Sequence, residues 1–200
     1  MNRDFFEHKA NLYDESDRRI SNVDNIASTI IANVNLNQDM HLMDFGAGTG
    51  LLLERIAPFV KKMTAVDISQ SMNMQLKKKC ESINCEVEIL EVDLEDTDIS
   101  GRFDGIISSM TMHHIKDIRA MFVKLYALLN NDGFIAIADL DKEDGNFHTE
   151  DTGVYHFGFE REAMISLAKQ AGFRDVKIVD ASAVHKPYGI FSVFLLTAKK

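Results

Sequence analysis

Leu42-Met43-Asp44-Phe45-Gly46-Ala47-Gly48-Thr49-Gly50 is the stretch that decides the reading of this chain. A short apolar run from Met40 to Phe45 ends in glycines at alternate positions, and Leu51 to Ala57 then carries a helical pattern. That succession is a strand, a tight turn and a helix. Alternate glycines let the backbone bend sharply and approach a ligand closely, while the helix behind presents its free N–H groups. The spacing is G-x-G-x-G, one residue shorter than the G-x-G-x-x-G of dinucleotide enzymes. Asp44, just ahead of the turn, suits a cationic ligand group and would repel a pyrophosphate.

Outward from this turn, strand and helix patterns alternate. Upstream, Ile20, Val23, Ile26, Ala27, Ile30, Ile31 and Val34 recur at three- and four-residue steps, which predicts an amphipathic helix over 16–34. Downstream, strands are expected at 63–68, 87–92, 103–109 and 134–140, and helices at 69–80, 117–129 and 160–171. Pro58 stops the helix behind the glycine turn. Gly172 stands as a left-handed cap. Strands at 176–184 and 191–198 are joined through Lys186-Pro187-Tyr188-Gly189. The alternation predicts an α/β fold, a doubly wound parallel sheet ending in an antiparallel hairpin. Asp141 to Gly158 has no periodicity, and its length marks it as a lid or binding loop.

Composition bounds the function classes. At 200 residues, with 46% hydrophobic and 26% charged, the chain has ordinary globular usage and the length of one domain. A net charge of −9 works against nucleic acid, whose phosphates call for an excess of Lys and Arg. No run approaches the roughly 20 apolar residues of a membrane span. The N-terminus, Met1-Asn2-Arg3-Asp4, lacks the apolar stretch of a signal peptide. Cys80 and Cys85 make neither a disulfide framework nor a four-ligand zinc site. The expectation is a soluble cytoplasmic protein, monomer or homodimer, without membrane or nucleic-acid partners.

Candidate chemistry gathers at strand ends. Asp67 ends the second strand, roughly 20 positions past the glycine turn, where a carboxylate can accept both hydrogen bonds of a ribose diol. It is also placed, with Ser69 and Ser71, to cap the following helix. Asp93 and Leu94 follow the third strand, where an acid and an apolar side chain could take an adenine edge and face. His113 and His114 follow the fourth; an imidazole titrating near 6.5 suits a general base, and one of the pair could equally be structural. Aromatics and histidines interleave in the 141–158 segment, so His148, Tyr155 and His156 are candidate substrate contacts. No established metal-ligand spacing occurs, so no metal is expected.

Together these stretches resemble the class I S-adenosylmethionine-dependent methyltransferases of the small-molecule type. The matching elements are residues 42–50, Ala65-Val66-Asp67-Ile68-Ser69, Asp93-Leu94, Phe103 to Ser109 with His113-His114-Ile115, and Leu128 to Phe134. One departure is Asn131-Asp132-Gly133, where the family more often has proline–glycine. The resemblance implies a Rossmann-like, seven-stranded, mostly parallel sheet with S-adenosylmethionine across the carboxyl ends of its strands. Gly46, Ala47 and Gly48 would pass beneath the methionine part, with Asp44 and Ser109 near its ammonium. Asp67 would hold the ribose, Ile68 and Met72 would flank the adenine, and Asp93 and Leu94 would meet its edge. Tyr13 resembles the aromatic that closes over the cofactor, and ordinary packing is its other reading. The implied organisation is a helical cap at 1–35, a cofactor-binding core at 36–140, a substrate lid at 141–158 and a C-terminal helix and hairpin at 159–200.

The expected reaction is in-line methyl transfer to a small molecule, with His113 or His114 as base where a hydroxyl must lose its proton. The segment after the fourth strand is Ser108-Ser109-Met110, unlike the proline-rich motifs of DNA amino-methylases, and there is no Pro-Cys nucleophile. A nicotinamide-dependent oxidoreductase and a nonenzymatic cofactor-binding regulator are the alternatives.

Overall fold

A computed structural model of the chain describes residues 4–200. The first three residues of the polar N-terminus, and of the 1–35 cap, lie outside that range. After a short 3-10 turn at Ala10–Glu15, α1 spans Asp17–Asn33. Ile26, Ala27 and Ile30 are buried on one face of α1, as its periodicity predicts.

The strands are β1 His41–Phe45, β2 Lys62–Asp67, β3 Glu86–Glu91, β4 Phe103–Ser109, β5 Leu129–Leu140, β6 Arg174–Lys186 and β7 Gly189–Lys199. Between them stand α2 Leu51–Ile56, α3 Gln70–Lys79, α4 Ile118–Leu128 and α5 Arg161–Gln170. The seven strands form one sheet in the order β3-β2-β1-β4-β5-β7-β6. Pairs among β1 to β5 are parallel, whereas β7 runs antiparallel to both β5 and β6. The expected mostly parallel sheet with its C-terminal hairpin is the observed one.

Successive strand residues face opposite sides, and helices cover both. Ile106 and Phe194 enter the core beneath α4 and α5, while their neighbours Ile107 and Leu195 enter the core beneath α1 and α2. Asp117 caps α4 by accepting from Ala120 N–H at 2.9 Å, and Ser69 caps α3 by accepting from Met72 N–H. After α5, Gly172 adopts φ +106°; its N–H donates to Lys169 and that of Phe173 to Ala168, a Schellman stop.

The strand expected at 134–140 begins earlier. Leu129 already pairs with Phe103, the register then shifts, and Asp132 sits at φ +62° before the regular ladder resumes at Phe134. The irregularity hides this part from a period-two pattern. The crossover from β1 outward goes to β2 on one side and to β4 on the other. Their carboxyl ends therefore flank a switch point, the place where open α/β sheets hold ligands.

Candidate active site

The glycine turn opens at this switch point. Gly46 and Gly48 have φ of +72° and +56°, which L side chains rarely adopt. A Cβ on Gly46 would strike the Thr111 side chain at 2.2 Å, so that glycine is fixed by packing. A Cβ on Gly48 would meet nothing within 4 Å. Gly48 faces open space, a cradle that a ligand can fill.

That space belongs to a cavity of about 320 Å³. Of the residues expected at a cofactor or substrate, it brings together Tyr13, Asp44, Gly46, Ala47, Gly48, Ser109, His113, His114 and His148. Asp44 is 1% exposed. Burial, and secondarily the nearby Asp67 carboxylate, pushes its pKa up to about 8, against a bond from Leu53 N–H that lowers it. Asp44 Oδ2 and Ser109 Oγ are buried without hydrogen-bond partners among the described residues. Two such oxygens beside an open cradle call for a donor-rich, cationic ligand group.

His113 is positioned from the neighbouring strand. Its Nδ1 lies 2.7 Å from Asp139 Oδ1, and its backbone N–H donates to Asp139 Oδ2 at 3.2 Å. Asp139 Oδ1 also accepts from Leu140 N–H. A carboxylate that takes two backbone donors is an acceptor toward the ring as well, so Nδ1 carries the proton and Nε2 is left basic. Both side chains are buried, at 1% and 0% exposure.

His114 and His148 stack around this ring, with centroids 4.4 and 5.1 Å from that of His113. Burial first, then repulsion from His113, lowers His114 to about 4 and His148 to about 3, so both are neutral at pH 7. His148 Nδ1 lies 3.1 Å from the Thr152 hydroxyl. Its Nε2 is buried without a partner among the described residues.

A family model described as a methyltransferase domain matches residues 17–178. The chain belongs to this methyltransferase family. An uncharacterized methyltransferase of Schizosaccharomyces pombe is 28% identical over 189 residues, 86% of this chain and 66% of the relative. A ubiquinone biosynthesis O-methyltransferase of Nitrobacter winogradskyi is 27% identical over 103 residues, 52% of this chain and 40% of the relative. The chain thus spans less than two thirds of either relative. Among solved structures, phosphoethanolamine N-methyltransferase 2 of Haemonchus contortus, in complex with S-adenosylmethionine, superposes with a TM-score of 0.73 at 16% identity. That superposition covers 99% of this chain and 59% of the other. The family removes the nicotinamide-dependent alternative.

Asp67, Ile68, Met72, Asp93 and Leu94 do not line this cavity. Asp67 Oδ2 accepts from Gly48 N–H and its Oδ1 from Ser69 N–H, each at 2.8 Å. Burial raises the Asp67 pKa, while those two bonds lower it. The carboxylate both ties the turn and opens the way into α3. Next to it Ile68 is 50% exposed, an apolar surface at the sheet edge, and Met72 is buried. Asp93 Oδ1 accepts from Glu95 N–H, and Leu94 is buried in the core. Asp4 reaches across this edge: its carboxylate accepts from Ser69 Oγ and Ser71 N–H, laying the N-terminal segment over the start of α3. Tyr13 packs beneath the Arg19 guanidinium, 4.2 Å from the ring centre, and burial raises its pKa.

The structure does not bring Tyr155 or His156 to the cavity. Tyr155 is 61% exposed, and His156 Nε2 lies 2.9 Å from the Ile115 carbonyl. Their backbone N–H groups both donate to His113 O, so this part of the segment braces the histidine from behind. The ends of the 141–158 segment meet where Asp141 bridges to Phe159, and Arg161 clamps Asp141 through two bonds of 2.7 Å. It is a strapped loop rather than an extended one.

Sequence reading missed Asp139, Thr111, Arg18, Arg19 and Lys186. Asp139 had a signal: it is an isolated acid near the carboxyl end of an apolar strand, at the same sheet edge as Asp44. The arginines look like the solvated start of a helix.

Proposed function

We propose that this chain transfers the methyl group of S-adenosylmethionine to a hydroxyl of a small-molecule acceptor, with His113 as general base. The observation that carries it is the buried His113–Asp139 pair on a cavity that also presents the unpartnered Asp44 oxygen and the open Gly48 cradle. The orphaned oxygens of Asp44 and Ser109 fit the cofactor's ammonium, and Gly46 to Gly48 fit close passage of its methionine part. Asp67, with Ile68, Met72, Asp93 and Leu94 on the adjoining edge, fits the adenosine. When bound, S-adenosylmethionine supplies an electrophilic methyl group on a sulfonium that already carries the positive charge.

The chain's own work is positioning and one proton transfer. His113 Nε2 takes the proton of the acceptor hydroxyl, and Asp139 holds the ring and stabilises the imidazolium that forms. The strapped 141–158 segment contributes Phe147 and His148 to the wall and keeps water from the acceptor. Orientation of this kind can supply several kcal/mol of the barrier. The O-methyltransferase name of the Nitrobacter relative agrees with an oxygen acceptor.

The test is calorimetric titration with S-adenosylhomocysteine and NADH in parallel, followed by a screen of phenols, hydroxy acids and amines for S-adenosylhomocysteine release. Binding of the first ligand alone, with hydroxyl acceptors turned over and His113→Ala inactive on them, is expected. Turnover of amines that His113→Ala leaves intact would remove the hydroxyl assignment.

A further inference from the structure

Besides Asp44 at the glycine turn and Glu150, the cavity is lined by four cations, Lys9, Arg18, Arg19 and Lys186, in a chain of net charge −9. Cations gathered in one concavity of an acidic protein repel one another and focus a positive field on whatever enters. One of the four is paired with a carboxylate, and another lies on Tyr13, a residue expected at the cofactor. Lys9 pairs with Glu150. Arg19 lies on the Tyr13 ring and donates to the Tyr13 carbonyl, so it is engaged by the residue expected over the cofactor.

Arg18 and Lys186 are different. Among the described residues neither has an ion pair with a carboxylate. Lys186 is fixed by donating to the Phe147 carbonyl, with its ammonium 3.8 Å from the centre of the Phe147 ring. Burial first, then repulsion from Arg18 and Arg19, lowers its pKa, so these charges share one field. Glu143, the acid that offsets them, is turned to its own loop, its Oε2 accepting from Asn146 and Phe147 N–H. The Phe147 ring that Lys186 covers lies 4.9 Å, centre to centre, from the His148 ring, whose Nε2 is buried and unpartnered among the described residues. An anion beside Nε2 would select the tautomer in which Nδ1 accepts from the Thr152 hydroxyl and Nε2 donates.

We propose that Arg18 and Lys186, with His148 beside them, form an anion-binding subsite that selects acceptors carrying a carboxylate or a phosphate. The inference rests on the preceding reading only in taking this cavity as the acceptor's. An anion here has two sources, the acceptor or the carboxylate of the cofactor's methionine part, and the test separates them.

Wild type and Arg18→Gln/Lys186→Met, each saturated with S-adenosylhomocysteine, are titrated calorimetrically with benzoate, phenyl phosphate and benzyl alcohol. The wild type is expected to bind at least one of the two anions tenfold or more tightly than the alcohol. The double variant should lose that preference, keep its S-adenosylhomocysteine Kd within about threefold, and regain the preference when Lys186 is instead replaced by Arg. Equal affinities for anions and alcohol in the wild type, or no anion binding, overturn the subsite. Loss of S-adenosylhomocysteine affinity in the double variant, with anion preference intact, overturns it too and assigns the cations to the cofactor. Should S-adenosylhomocysteine fail to bind the wild type, the methyl-transfer reading fails, and the same titrations without it still decide the subsite.

Discussion

Gly48 N–H donates to Asp67 Oδ2 at 2.8 Å, tying the turn after β1 to the end of β2. The same carboxylate accepts from Ser69 N–H, so one side chain closes the glycine turn and the entry to α3 together. Asp67→Ala therefore acts twice. It should lower the melting temperature of the free protein, because two backbone donors lose a charged acceptor at about 1.5–3 kcal/mol each at most. It should also abolish most of the melting shift produced by S-adenosylhomocysteine. Differential scanning calorimetry with and without ligand reads both; an undiminished ligand shift confines Asp67 to a structural role.

Asp44 couples the site to pH. Its pKa stands near 8 in the folded protein against 3.8 for an ordinary aspartate, so between about 4 and 8 the folded state holds a proton that the unfolded chain has lost. Stability accordingly falls as pH rises through that window, and Asp44→Asn should flatten the decline. An ammonium placed against the carboxylate favours its ionised form. Cofactor binding at pH 7 should therefore release close to one proton, seen as different apparent enthalpies in phosphate and Tris. Identical enthalpies in the two buffers would disprove the contact.

The two glycines of the turn should separate stability from binding. Gly46→Ala drives a methyl into Thr111 and should fold poorly. Gly48→Ala has room and carries only the strain of a positive φ, about 1–2 kcal/mol, or a few degrees of melting temperature. It should nonetheless bind S-adenosylhomocysteine at least tenfold more weakly, since its methyl occupies the cradle. Unchanged affinity in this variant would place the ligand elsewhere.

Asp139 is a positioning residue, and its variants should show it. Asp139→Asn is expected to lower turnover about 100-fold or more with little change in cofactor affinity, and Asp139→Glu to recover part of it. His113→Ala should lower turnover at least as far, again with cofactor affinity little changed. Similar losses on an acceptor that needs no deprotonation would mark the pair as purely structural.

The braced face of the loop should behave differently. Tyr155→Ala, exposed and away from the cavity, should leave turnover within about twofold. His156→Ala loses the hydrogen bond to the Ile115 carbonyl, worth about 1 kcal/mol, and should lower the melting temperature by a few degrees. A selective collapse of acceptor turnover in Tyr155→Ala would show that this side chain reaches the acceptor after all.

What the sequence determined by itself was local or periodic. The order of strands and helices, the turn at Gly46 to Gly50, the caps at Ser69 and Gly172 and the acids at strand ends all follow from spacing, because neighbouring residues fix their own φ and ψ and their own face. Parallel connections of one hand then leave few sheets to choose from. The start of β5 at Leu129 escaped because its irregular register carries no period. Only the tertiary structure decided that Asp139 meets His113 from the next strand, that Arg18 on α1 and Lys186 at the end of β6 face one cavity, and that Tyr155 turns outward. These juxtapositions join residues far apart in the chain through packing, and the aperiodic 141–158 segment takes its shape from the surfaces it is strapped to, so no local pattern in the sequence encodes them.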